Sequence, residues 1–200
     1  MSILADWQII ERCEKEGMIT PFVNESVKTM ETDKGLQKIL SYGVSSYGYD
    51  IRLTKKELKL FTNLNGVLAD PRNLHADVYT EPKLCVDEDG LEYVVIPPGS
   101  MLLGHTPEYF KVPRDILVTC LGKSTYARVG IFPLVTPLEP TWEGQLVVEI
   151  VNSTAAHAKV YIDQGIAQLI FNRTDAECKV SYKDRGGKYD KQIGTQNPIV

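Results

Sequence analysis

The run Gln145-Leu146-Val147-Val148-Glu149-Ile150-Val151-Asn152 follows Trp142-Glu143-Gly144 and is apolar throughout its interior except at one position. Aliphatic and β-branched residues at this density, entered through a glycine turn, predict a buried strand with both faces covered. Alternation puts Leu146, Val148 and Ile150 on one face and Val147, Glu149 and Val151 on the other. Glu149 is therefore an acid flanked by two valines on its own face.

The same texture extends outward in both directions. Short Val/Ile/Leu/Tyr-rich runs recur at Tyr49–Leu53, Tyr93–Ile96, Ser100–His105, Ile116–Leu121, Lys159–Ile162 and Ile166–Asn172, separated by Gly, Pro, Asn and Asp. Pro97-Pro98-Gly99 and Ile162-Asp163-Gln164-Gly165 are turns that deliver the chain into strands. This rhythm predicts an all-β sandwich or barrel. A helix is expected from near Ser2, capped by Ser2 or Asp6, through Trp7, Ile9, Ile10 and Cys13 to Gly17, and a second short one over Lys34 to Leu40. Residues 61–88 have weak periodicity and are expected to form an insertion or long loop. The last twenty residues are polar with few apolar anchors and, taken alone, predict a mobile tail.

A chain of 200 residues fits a single domain. Its 43% hydrophobic and 24% charged residues are ordinary for a globular protein, and no run approaches the roughly 18 apolar residues of a membrane span. The N-terminus carries acidic residues and neither a basic region nor a long apolar stretch, so no signal peptide is expected and a cytoplasmic address follows. A net charge of −4 argues against general nucleic-acid binding, though a local basic cluster can still hold a small anion. Cys13, Cys85, Cys120 and Cys178 are scattered without a CxxC pair and are expected to be reduced.

Three places have residues suited to chemistry. Burial would raise the Glu149 pKa toward the range useful for proton transfer, or the acid could meet solvent or a structural arginine at a strand edge. Residues 121–130, Leu-Gly-Lys-Ser-Thr-Tyr-Ala-Arg-Val-Gly, combine two cations, two hydroxyls and two glycines, a composition suited to a phosphate chain. The same residues also suit a basic turn in which Ser124 or Thr125 opens a short helix. A P-loop would need glycine at position 117, which is Leu117. Asp50 and Arg52 share a strand face and favour a structural ion pair or a subunit contact. Gln168 is a lone polar residue in an apolar strand, a satisfied amide unless it faces the Glu149 cavity. His75, His105 and His157 are isolated, and the HxE and PCxxC elements of zinc nucleobase deaminases are missing from the sequence.

Together SSYGYDIRL (45–53), LGKSTYARVGI (121–131), TPLEPTWEGQLVVEIVNST (136–154), GIAQLIF (165–171) and DRGGKYDKQIG (184–194) resemble the dCTP deaminase family in order and spacing over nearly the whole chain. The wider group includes the trimeric dUTPases. The resemblance implies a mainly β fold of dUTPase type, a distorted or jelly-roll-like β-barrel with a few short helices, in one domain over 1–200. It also implies metal-independent hydrolysis of dCTP to dUTP and ammonia, with Glu149 as proton shuttle and Ser124 and Arg128 in the catalytic relay. The phosphate-binding stretch corresponds to Lys123, Ser124, Thr125, Tyr126, Ala127 and Arg128, and Val147 and Val148 fall where the backbone meets pyrimidine and sugar. Gln168, Tyr182, Lys188 and Gln192 correspond to triphosphate contacts, the last three on a lid of about residues 180–200 that is ordered by its ligand. Family members are homotrimers with sites at subunit interfaces, so Ser124 and Arg128 would serve the Glu149 of a neighbouring chain. Magnesium would arrive with the triphosphate, with no protein metal ligand and no catalytic zinc. Many relatives carry Ile-Asp-Pro-Gly before the aromatic residue, whereas this chain has Leu138-Glu139-Pro140-Thr141-Trp142. The aspartate that dUTPases use to activate water has no clear counterpart here, which favours deamination alone. The competing expectations are a dUTPase or bifunctional enzyme giving dUMP and pyrophosphate, and a nucleotide-binding regulator without chemistry.

Overall fold

The computed structural model describes residues 2–62 and 68–199. The expected strand forms as β13 (Glu143–Asn152), but its faces are unequal. Leu146, Val148 and Ile150 are in the core, whereas Val147, Glu149 and Val151 are only half-buried. The strand is thus covered on one face and lines a cavity with the other, which corrects the expectation of two buried faces.

β13 lies between β10 (Met101–Lys111) and β12 (Ile131–Leu134), antiparallel to both. This sheet continues through β6 (Lys59–Phe61) to β7 (Tyr79–Thr80), and β2 (Ile19–Thr20) shares the β6 edge of β10. A second sheet is centred on β15 (Gly165–Arg173), with β11 (Ile116–Gly122) on one edge. On the other edge are β1 (Ser2–Ile3) and β5 (Gly48–Arg52), followed by β4 (Gly35–Ser45) and β3 (Ser26–Thr32). A third sheet pairs β8 (Leu84–Val86), β9 (Glu92–Ile96) and β14 (Ala158–Tyr161). One apolar core joins them, with Ile51, Ile96, Val148, Val160 and Leu169 fully buried in it.

Helix α1 (Asp6–Glu16) buries Ile9 and Cys13, and Gly17 in the left-handed conformation ends it. Neither expected cap is used. Ala5 holds the cap position, and its N–H donates to Gln8 Oε1 at 3.0 Å. The helix expected over Lys34 to Leu40 does not form, because those residues enter the β3–β4 hairpin, in which Thr32 faces Gly35 across a tight turn. Nor are residues 61–88 a simple loop. Their part at 63–67 lies outside the described residues, but β7 extends one sheet and β8 opens another. Both expected turns form, with Gly99 and Asp163 at positive φ. Among the described residues no helix is long and apolar enough to cross a membrane, and all four cysteines are free thiols.

Candidate active site

A cavity of about 390 Å³ opens on the Glu149 face of β13. Its walls come from Val147 and Glu149, from Met101 and Leu103 of β10, from the 135–139 segment and Trp142, and from Tyr182, Tyr189, Gln192 and 196–198 of the C-terminal segment. Glu149 stands in register between Leu103 and Leu134 of the flanking strands. Burial pushes its carboxyl above the ordinary range, opposed only by a backbone hydrogen bond. Among the described residues it makes no ion pair. The acid is poised to exchange a proton. Cys120 on β11 feels the same charge, and its thiol, raised chiefly by burial to about 12, stays protonated.

Backbone direction adds a second feature. Leu146 N–H donates to Thr106 Oγ1 on the β10 side, and Gln145 N–H donates to Gln192 O on the opposite side. Strand alternation therefore aims the N–H and C=O of Val147 at that opposite side. There β12 reaches only as far as Glu149, through the Leu134–Glu149 pair. An uncovered donor and acceptor thus stand two residues from the carboxylate. Val148 does not join them: its side chain is fully buried, and by the same alternation its N–H and C=O point to β10, where it stands opposite Gly104.

The C-terminal segment closes the cavity with hydrogen bonds. Trp142 Nε1 donates to Tyr189 O at 2.9 Å, Lys191 N–H to Glu143 O at 2.7 Å, and Gln192 Nε2 to Gln145 O at 2.8 Å. A Cβ on Gly144 would come within 3.0 Å of Gln192 O, so glycine permits this approach. Lys188 is exposed, and its ammonium reaches Ile199 O at 3.4 Å.

The sequence-expected residues fall into two groups. Val147, Glu149, Tyr182 and Gln192 meet at the cavity. Lys123 through Arg128 and Gln168 do not line it within the same chain. Lys123 pairs with Asp50 at 2.5 Å, Asp50 faces Gln168 in the β5–β15 register, and Gln168 Nε2 donates to Ser45 Oγ at 2.8 Å. Arg52 pairs with Glu108 at 2.8 Å, so Asp50 and Arg52 are each in an ion pair but not with one another. Residues Ser124–Ala127 form the short helix α2. Ser124, Thr125, Ala127 and Arg128 face outward, while Tyr126 is buried with its hydroxyl accepting the Tyr161 N–H at 2.9 Å, so only its backbone is available to a ligand. Sequence reasoning missed Glu139, a second acid in the cavity wall, held by Arg185. Its position before Pro140-Thr141-Trp142 was the available signal. No group of three or more His, Cys, Asp and Glu side chains converges among the described residues.

The dCTP deaminase-like family profile matches residues 3–174. The chain belongs to the dCTP deaminase-like family. Curated relatives named dCTP deaminase, from Chromobacterium violaceum and Pseudomonas putida, are 48% and 47% identical to it over 198 residues, covering 99% of both chains in each comparison. The crystal structure of 2′-deoxycytidine 5′-triphosphate deaminase from Agrobacterium tumefaciens superposes with a TM-score of 0.50 at 17% identity. That match covers 86% of this chain and 47% of the other, a likeness of fold. The mainly β architecture is the one expected for this family.

Proposed function

We propose that this member of the dCTP deaminase-like family hydrolyses dCTP to dUTP and ammonia in the Glu149 cavity. The observation that carries the proposal is a desolvated carboxylate without a cationic partner among the described residues, beside an open backbone edge. Cytosine offers an amino donor at C4 and acceptors at N3 and O2, groups that the N–H and C=O of Val147 can complement. Glu149 takes a proton from water as hydroxide adds to C4, and N3 of the ring is protonated. The resulting tetrahedral carbon expels the amino group after it too is protonated, leaving a C4 carbonyl. Water and dCTP become dUTP and ammonia. Glu149 is first base and then acid.

The outward-facing Ser124 and Arg128 serve a second chain in this reading. Support comes from the large apolar side chains around α2: Leu121 and Val129 are 56% exposed, Phe132 43% and Leu134 56%. Such a patch calls for a covering partner, and a homotrimer with shared sites provides one. Arg128 then approaches the Glu149 site of its neighbour, with Ser124 completing the hydrogen-bond relay and Lys123, Thr125 and Gln168 near the phosphates. The 180–200 segment is the lid, with Tyr182, Lys188 and Gln192 turned to the triphosphate. Of the two carboxylates in the cavity wall, Glu139 is engaged by Arg185. Magnesium arriving with the triphosphate would add charge neutralisation there, while proton transfer belongs to Glu149. Four free thiols suit a cytoplasmic enzyme.

Glu139 is the one observation that favours phosphate hydrolysis as well, but its engagement with Arg185 weighs against a role as water-activating base. Incubation with dCTP and magnesium, with products separated by anion exchange, is the test. dUTP and equimolar ammonia are expected; dUMP with pyrophosphate would favour the bifunctional reading, and binding without turnover the regulator.

A further inference from the structure

The middle of β10 carries Thr106-Pro107-Glu108, and a proline inside a strand is confined to edges and bulges because it has no N–H for the ladder. The register shows the bulge. His105 faces Val147 and Tyr109 faces Gln145, so three residues of β10 stand opposite the single residue Leu146. The bulge is tied to the second sheet: Thr54 N–H donates to His105 O at 3.0 Å, and Arg52 Nε donates to Glu108 Oε1 at 2.8 Å. Thr106 and Glu108 are both fully buried.

A bulge disrupts the ladder opposite it, and here a side chain stands in for the missing backbone acceptor. Leu146 N–H donates to Thr106 Oγ1 at 3.0 Å, and the same hydroxyl donates to Glu108 O at 2.7 Å. The second bond fixes the rotation of the hydroxyl, so a lone pair stays turned to Leu146. Burial leaves no bulk water to take over either bond. Holding Leu146 N–H toward β10 is what sends the next N–H, that of Val147, to the opposite side of an extended strand. That side is the uncovered edge beside Glu149. Glu149 itself is held independently, in register with Leu103 and Leu134.

We propose that Thr106 is a positioning residue for recognition of the cytosine base: its hydroxyl, oriented by Glu108 O, fixes Leu146 so that Val147 presents its N–H and C=O to the ring. The proposal rests on the reading of the Glu149 cavity as the dCTP site. Thr106 does not line that cavity and acts only through Leu146. Its loss weakens recognition of the base and leaves recognition of the phosphates as it was.

The test uses Thr106→Val, which keeps the shape and removes both hydrogen bonds, and Thr106→Ser, which keeps the hydroxyl. Three quantities are compared in the full chain: amide hydrogen exchange at Leu146, KM and kcat for dCTP, and the inhibition constant of inorganic tripolyphosphate, which has no base for Val147 to read. In Thr106→Val, exchange at Leu146 is expected to quicken about tenfold and KM for dCTP to rise about tenfold, the worth of one buried hydrogen bond. The kcat stays within about threefold and the tripolyphosphate constant within about twofold. Thr106→Ser matches the wild type in all three. Unaltered exchange at Leu146 overturns the role of the hydrogen bond, and quickened exchange with an unaltered KM overturns positioning. An equal weakening of tripolyphosphate and dCTP also overturns it, leaving Thr106 a structural residue. If Thr106→Val fails to fold, Thr106→Cys, whose thiol is a weaker acceptor, carries the same comparison with the same signs. A wild-type chain that does not turn over dCTP would instead refute the activity, and calorimetric binding of dCTP against tripolyphosphate would still decide positioning.

Discussion

Replacing Glu149 by Gln removes the charge and the mobile proton while keeping the shape of the side chain. The expected loss follows from the site. The carboxylate is desolvated and has no ion pair among the described residues, so the substitution leaves none of them stranded. What disappears is proton transfer, typically worth 10²–10⁴ in rate, or about 3–5 kcal/mol of barrier. Stability moves the other way. A carboxyl whose folded pKa is raised above 4.5 favours the protonated state in the folded protein, so ionisation at neutral pH costs stability. The neutral Gln escapes that cost, and its unfolding temperature should equal or exceed the wild-type value. Ammonia release coupled to NADH oxidation measures kcat, titration calorimetry measures dCTP affinity, and thermal unfolding checks the fold. A kcat within tenfold of wild type would refute the proton-shuttle role. A fall in unfolding temperature would refute the picture of an unpaired, desolvated acid.

Three further outcomes follow from the same geometry. Wild-type kcat/KM should fall on acidification with a single protonation whose midpoint lies above 4.5, the direction in which burial moves Glu149; a midpoint at or below the ordinary value would contradict it. Arg128→Ala and Glu149→Gln should each be inactive alone, yet co-refolded in equal amounts they should recover about a quarter of wild-type activity, because sites shared between chains recombine intact halves; no recovery would place both residues in one chain's site. Asn152→Ala removes an amide whose Nδ2 reaches Ile96 O at 2.9 Å, Pro97 O at 3.1 Å and Ala156 O at 2.7 Å. Losing these bonds, together with the Oδ1 that accepts from Thr154 N–H and Oγ1, should cost roughly 2–4 kcal/mol and lower the unfolding temperature by about 4–16 °C, with KM for dCTP unchanged.

What could be read from sequence follows from how each element is stabilised. β13, β11 and β15 announce themselves because their burial is written in consecutive aliphatic residues. The β3–β4 hairpin does not. Leu36 and Leu40 are at helical spacing, and Leu36 remains 67% exposed in a strand whose outer half buries little. Pairing with β3 and β5 decides that segment, and pairing partners are not visible in the segment itself. Glu149 was legible as an acid in an apolar strand, but its freedom from cations depends on which side chains do not reach it. The C-terminal segment has the texture of a tail because polar contacts, more than apolar burial, dock it, as at Thr195 and Gln192. His105 gave no signal at all: it is an isolated histidine whose partner is ninety residues away. The basic loop reads equally as an anion site and as a turn opening a short helix, of which the structure shows the helix, and its separation from Glu149 within one chain is what makes a second chain part of the proposed function.

The most direct test of the account is the product balance of the wild-type protein with dCTP after treatment with a zinc chelator and restoration of magnesium. The account predicts dUTP and ammonia in equal amounts at the untreated rate. Activity that is lost on chelation and restored only by zinc, or dUMP and pyrophosphate as products, would contradict it.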